Sequence, residues 1–392
     1  MSSSLTNQPT PAKERLFSLD LMRGIAVCGI LVINMRYFAM PMSQLNNAAF
    51  PSGELSNGNF LAWFFSSLFV EDKMIAVFSM LFGAGIYMMA SKGAFRHYSR
   101  MVWLFAIGAF HAYVLWFGDI LMLYAMCGCL VVWLKRLPSG LLVSIGVASV
   151  LAAITWKTST ELYSDVFPLP VDEAAIEQPE VSTEETAPPE LSAHRKALRH
   201  AFNPDNELAA HKGSYTELFS WRADLNLAWH FLGFFKSAFW QYGGFMVIGM
   251  GLMAMGFLSG RKKANTYLAV GVSAFLLGTI LVGLGMHPES EGALNPEHGF
   301  EQAGYIRIAT ISGILRHVGA AVMSIGWLSL VILLSKTPVL SFLFKPFAAM
   351  GRMALSNYLT HTVVCVLFYE GWAWGNFAQL DYLQQFRLLG II

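Results

Sequence analysis

Acid–base work on a hydroxyl or amine needs a group to take the proton and a group to orient it, and His111 and Asp119 are the pair best suited to that in this chain. They lie eight residues apart at the end of one apolar run, so direct contact requires the helix to turn near Gly118. A polar bridge between helices is the plain alternative. Arg36 could neutralise a developing oxyanion or simply snorkel to headgroups. Glu71, Asp72 and Lys73 interrupt another apolar run, where Lys73 would anchor an anionic substrate or pair with a neighbour. Asp20 and Arg23, three apart, can form a local ion pair, or Arg23 can reach a phosphate. Asn34 lies about 21 Å further along that helix and about 40° round it. Asn357 and His361, four apart, share one face of a late helix and would either line a polar cavity or a donor entrance, or bond between helices.

These groups sit in long apolar segments. The 392 residues are 55% hydrophobic and 13% charged, with mean hydropathy +0.50, whereas soluble chains are about a quarter charged. Repeated apolar runs of spanning length predict an all-α, polytopic transmembrane helical bundle of about nine or ten spans. Basic residues at alternate ends, such as Arg15, Arg100, Arg136, Arg261 and Arg352, predict a cytoplasmic N-terminus. Residues 1–15 read as a disordered cytoplasmic tail. Residues 16–158 and 227–392 form two transmembrane halves, separated by an acidic extracytoplasmic insertion at 159–226. Within that insertion a surface helix is expected to end at the Asn203-Pro204 turn. The run at 60–90 is either one tilted helix or two broken at the charged triplet, and 305–334 is one long helix or a surface helix plus a span. The apolar tail at 386–392 could begin a tenth span.

Other chemistries find less support. A formal charge of +1 and a pI of about 7.7 give no electrostatic reason to expect nucleic-acid binding. Cys28, Cys127, Cys129 and Cys365 lie in apolar stretches without zinc-site spacing, and the loop holding His287 and His298 has no metal-ligand spacing, so no metal and no bound cofactor is expected. The scattered glycines form no phosphate loop.

Four motifs in order carry a resemblance. LDLMRGIAVCGILVINM, DKMIAVFSMLFGAGI, HAYVLWFGDILMLYAMCG and GRMALSNYLTHT resemble the signatures of the YeiB-like family of bacterial inner-membrane proteins. Members usually continue with a further apolar span; here the chain stops at Ile392. That family resembles, at a distance, transmembrane acyltransferases, including the heparan glucosaminide acetyltransferases. The broader O-acyltransferase group carries a histidine near the end of its first helix, where this chain has Asn34 and Arg36. The resemblance implies a multi-pass protein of the bacterial inner membrane, in contact with membrane lipids. It would move an acyl group from acetyl-CoA or another acyl-CoA, as cytoplasmic co-substrate, to a hydroxyl or amine of an envelope glycan, lipid or secreted small molecule. On that reading His111 is the base and Asp119 its orienter, while Arg36 or Lys73 binds charge. The alternative is a transporter or exporter of a small anionic solute through the same polar cavity.

Overall fold

The computed structural model describes residues 17–90, 93–166, 203–294, 302–337 and 341–390, all helices and connecting turns. The leader at 1–15 and the acidic stretch at 167–202 lie outside the described residues. Fourteen α-helices are described: α1 Phe17–Ala39, α2 Asn57–Phe69, α3 Lys73–Ala90, α4 Ala94–Phe110, α5 Leu121–Val131, α6 Ser139–Val166, α7 Pro204–Lys212, α8 Tyr215–Leu227, α9 Gly244–Ala254, α10 Ala264–Leu294, α11 Gln302–Ser335, α12 Ser341–Arg352, α13 Ala354–Tyr369 and α14 Tyr382–Leu389.

The protein is a polytopic helical membrane bundle. By length and composition, five segments can cross a bilayer: Phe17–Ala39, Asn57–Ala90, Ser139–Thr158, Ala264–Met286 and Thr310–Ser335. A shorter apolar helix, α13, lies where a further span is expected. α10 shows the membrane character most directly. Leu268, Val272, Leu276, Leu277, Ile280 and Leu284 are all exposed along it, an apolar stripe that suits lipid and not water.

Small residues let the helices close on one another, which matters where lipid removes the hydrophobic drive for association. A Cβ on Gly24 would strike the carbonyl of Phe347, and one on Gly351 the carbonyl of Asp20, so α1 and α12 cross with backbones in contact. Gly83 and Gly249 repeat the arrangement between α3 and α9, against the carbonyls of Met246 and Met80. Along α10 and α11, glycine contacts pair rising numbers on one helix with falling numbers on the other, so these long helices run antiparallel.

The run at 60–90 is broken. Asp72 adopts a left-handed φ of 61° in the short turn that separates α2 from α3. The carbonyls this exposes are satisfied by side chains: Lys73 Nζ donates to Ser67 O at 2.7 Å and Trp327 Nε1 to Phe69 O at 3.1 Å. The stretch at 305–334 belongs to one helix, α11. Asn203 and Pro204 start a helix where the sequence suggested an end, because the Asn203 side chain accepts from the N–H groups of Asp205 and Asn206 and Pro204 fits the first turn. The tail forms α14, capped by Asp381 and packed on α2.

Candidate functional site: a buried histidine cluster beside a basic chamber

α4 does not stop at Phe110. It loosens into wide, π-type turns over His111–Leu115, and the chain then runs extended at Trp116 before α5 begins. Widening leaves carbonyls off the regular ladder, and α8 supplies their donors. Asn226 Nδ2 donates to Ala112 O at 2.6 Å, Arg222 to Val114 O at 2.7 Å and the Tyr215 hydroxyl to the same oxygen at 2.9 Å. α8 itself is seated by Leu218, Trp221 and Leu225, a buried stripe at helical spacing. Part of the polar insertion therefore builds the turn that carries His111.

The turn brings Asp119 back under His111. His111 Nδ1 and Asp119 Oδ1 are 2.9 Å apart with both side chains fully buried, although the oxygen lies off the line of a ring N–H. The other carboxylate oxygen accepts the Met122 N–H at 2.8 Å, meeting an unpaired donor at the start of α5. On its far side His111 Nε2 meets the Thr362 hydroxyl at 2.9 Å, and its ring centroid lies 5.0 Å from that of Tyr358. His230 approaches Asp119 as well, with Nε2 at 3.8 Å from Oδ2, while its Nδ1 lies 3.1 Å from the Asn226 carbonyl. In the tautomer with the His111 proton on Nδ1, facing Asp119, Nε2 is the basic atom and points at a hydroxyl. This is the layout of a base with its orienter.

The other residues singled out from sequence do not join this cluster. Arg36 is buried and makes an ion pair with Glu71 at 3.2 Å, a hydrogen bond to Ser67 Oγ at 3.3 Å and a contact with the Tyr382 ring. A guanidinium enclosed by these partners is not snorkelling. Asp72 faces His317 at 3.5 Å, and Lys73 closes the end of α2, with no ion-pair partner among the described residues. Asn34 is half-buried and has no hydrogen-bond partner among the described residues. Asn357 donates to Met350 O at the α12–α13 junction, and His361 is half-buried one position away from Thr362. The residues that meet His111 are Tyr358 and Thr362, the same i, i+4 spacing moved on by one residue. Of the loop histidines, His298 lies outside the described residues, and for His287 only the helical backbone is described.

Asp20 and Arg23 are paired at 3.3 Å and line a chamber of about 840 Å³. Its basic mouth gathers Arg23 of α1, Arg100 of α4, Arg261 of the turn before α10 and Arg352 at the end of α12, residues that the sequence places toward one side. Its far end is lined by Ile120, Leu121 and Tyr358, so the residue packed on His111 is also a wall of the chamber.

A second histidine–carboxylate contact was not anticipated. His211 Nδ1 and Glu370 Oε2 bond at 2.9 Å, joining α7 to the end of α13. Its members are 159 residues apart, and no local spacing could announce them.

Residues 252–392 match the family model described as a protein of unknown function (DUF418). The chain is 30% identical over 378 residues to the uncharacterised protein YeiB of Escherichia coli, covering 94% of this chain and 88% of that one. It is 24% identical over 376 residues to the uncharacterised protein YxaH of Bacillus subtilis, covering 93% and 84%. A third relative, an uncharacterised 39.9 kDa protein of Bacillus acidopullulyticus, matches at 30% over 129 residues, 31% of this chain and 34% of that one. No solved structure matches.

Proposed function

The chain belongs to the YeiB family, whose names assign no activity, and from its buried cluster we propose that it is a membrane-embedded acyltransferase of the bacterial inner membrane. The observation that carries this reading is the contact set of His111, with Asp119 on one nitrogen and the Thr362 hydroxyl on the other. An acceptor hydroxyl taking the place of Thr362 would meet the same basic nitrogen. Nε2 removes the acceptor proton as the oxygen, or an amine nitrogen, attacks the carbonyl of an acyl-CoA thioester. The carbon–sulfur bond breaks, the acyl group stays on the acceptor, and the coenzyme thiolate leaves with the proton held by His111. Asp119 keeps Nδ1 protonated and offsets the charge of the imidazolium. The acceptor class is a hydroxyl or amine of an envelope glycan, a lipid or a secreted metabolite, reached from the side opposite the basic mouth.

The rival reading is a transporter or exporter of a small anionic solute. It draws on the same basic mouth, with the closed cluster as the partition that changes sides. Proteoliposomes given radiolabelled acetyl-CoA and envelope extract separate the two. Acyl transfer predicts a labelled covalent product that His111→Gln abolishes while the folded protein persists. Solute accumulation without a covalent product, or label transfer that survives His111→Gln, overturns the proposal.

A further inference from the structure

The chamber below the cluster has a composition that the chemistry at His111 does not require. Among its described lining residues the cations are Arg23, Arg100, Arg261 and Arg352, and the only carboxylate is Asp20, already held by Arg23. Arg100, Arg261 and Arg352 have no carboxylate partner among the described residues. Like charges around one mouth repel, and guanidinium groups suit the bidentate geometry of phosphate. Above them the wall is apolar, with Val27, Leu81, Phe82, Ile86, Met101 and Ile107, and it continues to Ile120 and Leu121. A volume of about 840 Å³ falls within the range of ligand sites.

We infer that this chamber is a binding site for a phosphate-headed amphiphile, its anionic head held by Arg100, Arg261 and Arg352 and its flexible apolar chain lying along α1, α3 and α4 toward Tyr358. One end of the chamber answers to charge and the other to hydrocarbon, so neither a free polar anion nor a neutral lipid satisfies both. The head can belong to a single-chain phospholipid from the bilayer or to a long-chain thioester carrying a nucleotide phosphate. The inference concerns binding, and it does not rest on acyl transfer at His111.

The test is equilibrium binding to the full-length protein in nanodiscs of neutral phosphatidylcholine. The radiolabelled probes are oleoyl lysophosphatidic acid, oleoyl-CoA and, as the phosphate-free control, monoolein. Saturable binding is expected for at least one phosphate-bearing probe, with monoolein at background. Arg100→Gln with Arg352→Gln weakens that binding by about tenfold or more, and the corresponding double Lys variant recovers part of it. Preference for lysophosphatidic acid assigns a bilayer source, and preference for oleoyl-CoA a nucleotide thioester; each supports the site. The inference is overturned if neither phosphate probe saturates, if monoolein binds equally well, or if the folded double Gln variant binds like the parent. His111→Gln leaves binding unchanged, so binding without transfer removes the enzymatic reading alone, and transfer without arginine-dependent binding removes this one alone.

Discussion

His111–Asp119 and His211–Glu370 are both buried histidine–carboxylate contacts of 2.9 Å, yet their surroundings differ at the second nitrogen. His111 presents Nε2 to a hydroxyl, next to a tyrosine that walls the chamber. His211 lies flat on Phe377, with centroids 4.1 Å apart and planes 7° from parallel, and takes the edge of Trp221. Its Nε2 has no hydrogen-bond partner among the described residues, and its backbone oxygen accepts the Gly371 N–H at 2.8 Å. A short distance between imidazole and carboxylate thus marks a clamp as readily as a base. What the free face of the ring meets separates the two. α8 serves both regions, with Trp221 against the clamp and Arg222 and Asn226 under the wide turn.

The contrast is most exposed to failure at His111. His111→Gln should lower labelled acyl transfer by about 10²–10⁴-fold at equal folded fraction, whereas His211→Gln should leave turnover per folded molecule intact. If the two variants lose activity equally, the distinction collapses. Asp119→Asn comes next, with a loss of about 10²-fold or more, because the amide no longer fixes the tautomer; rates compared at equal folded fraction decide it. Asn226→Ala leaves the Ala112 carbonyl without its donor and should cost about 1–3 kcal/mol of stability together with part of the rate. Denaturation and turnover measured on one preparation would show whether both fall. His211→Gln should cost stability in the same range and nothing in rate.

The smallest effect concerns Glu207 in α7, beside the clamp and outside the spanning segments. Burial pushes its carboxyl up, and the Met42 N–H it accepts at 2.9 Å pulls the other way. With the folded value above the unfolded one, the folded state holds more protons in the window between them. Stability should therefore fall as pH rises through that window. Glu207→Gln should flatten the pH dependence of thermal unfolding just above the ordinary carboxylate range; an unchanged slope removes Glu207 as its source.

The bundle could be read from its apolar runs, and the His111–Asp119 contact from their spacing across a turn containing Gly118. The rest depended on partners far away in sequence. Thr362 meets His111 across 251 residues. On α13 the conspicuous polar pair, Asn357 and His361, drew attention from Tyr358 and Thr362, one residue and about 100° further round. Within the triplet at 71–73 the nearness of Glu71 to Arg36 is legible from their shared depth in the bundle, whereas the left-handed turn at Asp72 sends Asp72 to His317 and Lys73 to the end of α2, partners that no local spacing announces. The stretch at 204–226 counts from composition as part of the acidic insertion, although Leu218, Trp221 and Leu225 already carry the helical stripe that seats it.

The glycine crossing of α1 and α12 also has a bearing on assembly. Cys28 and Met350 touch beside it across 322 residues, so α1, which meets Glu71 and Ser67 early through Arg36, gains this neighbour only after residues beyond 340 are made. Helices that insert singly and associate afterwards leave α1 waiting in the bilayer with Asp20 and Arg23 holding only each other. Both the complete arginine mouth and the Thr362 contact need residues that follow α11, since Arg352 closes the one and Thr362 makes the other. A ribosome stalled before α12 would leave behind helices, but no chamber.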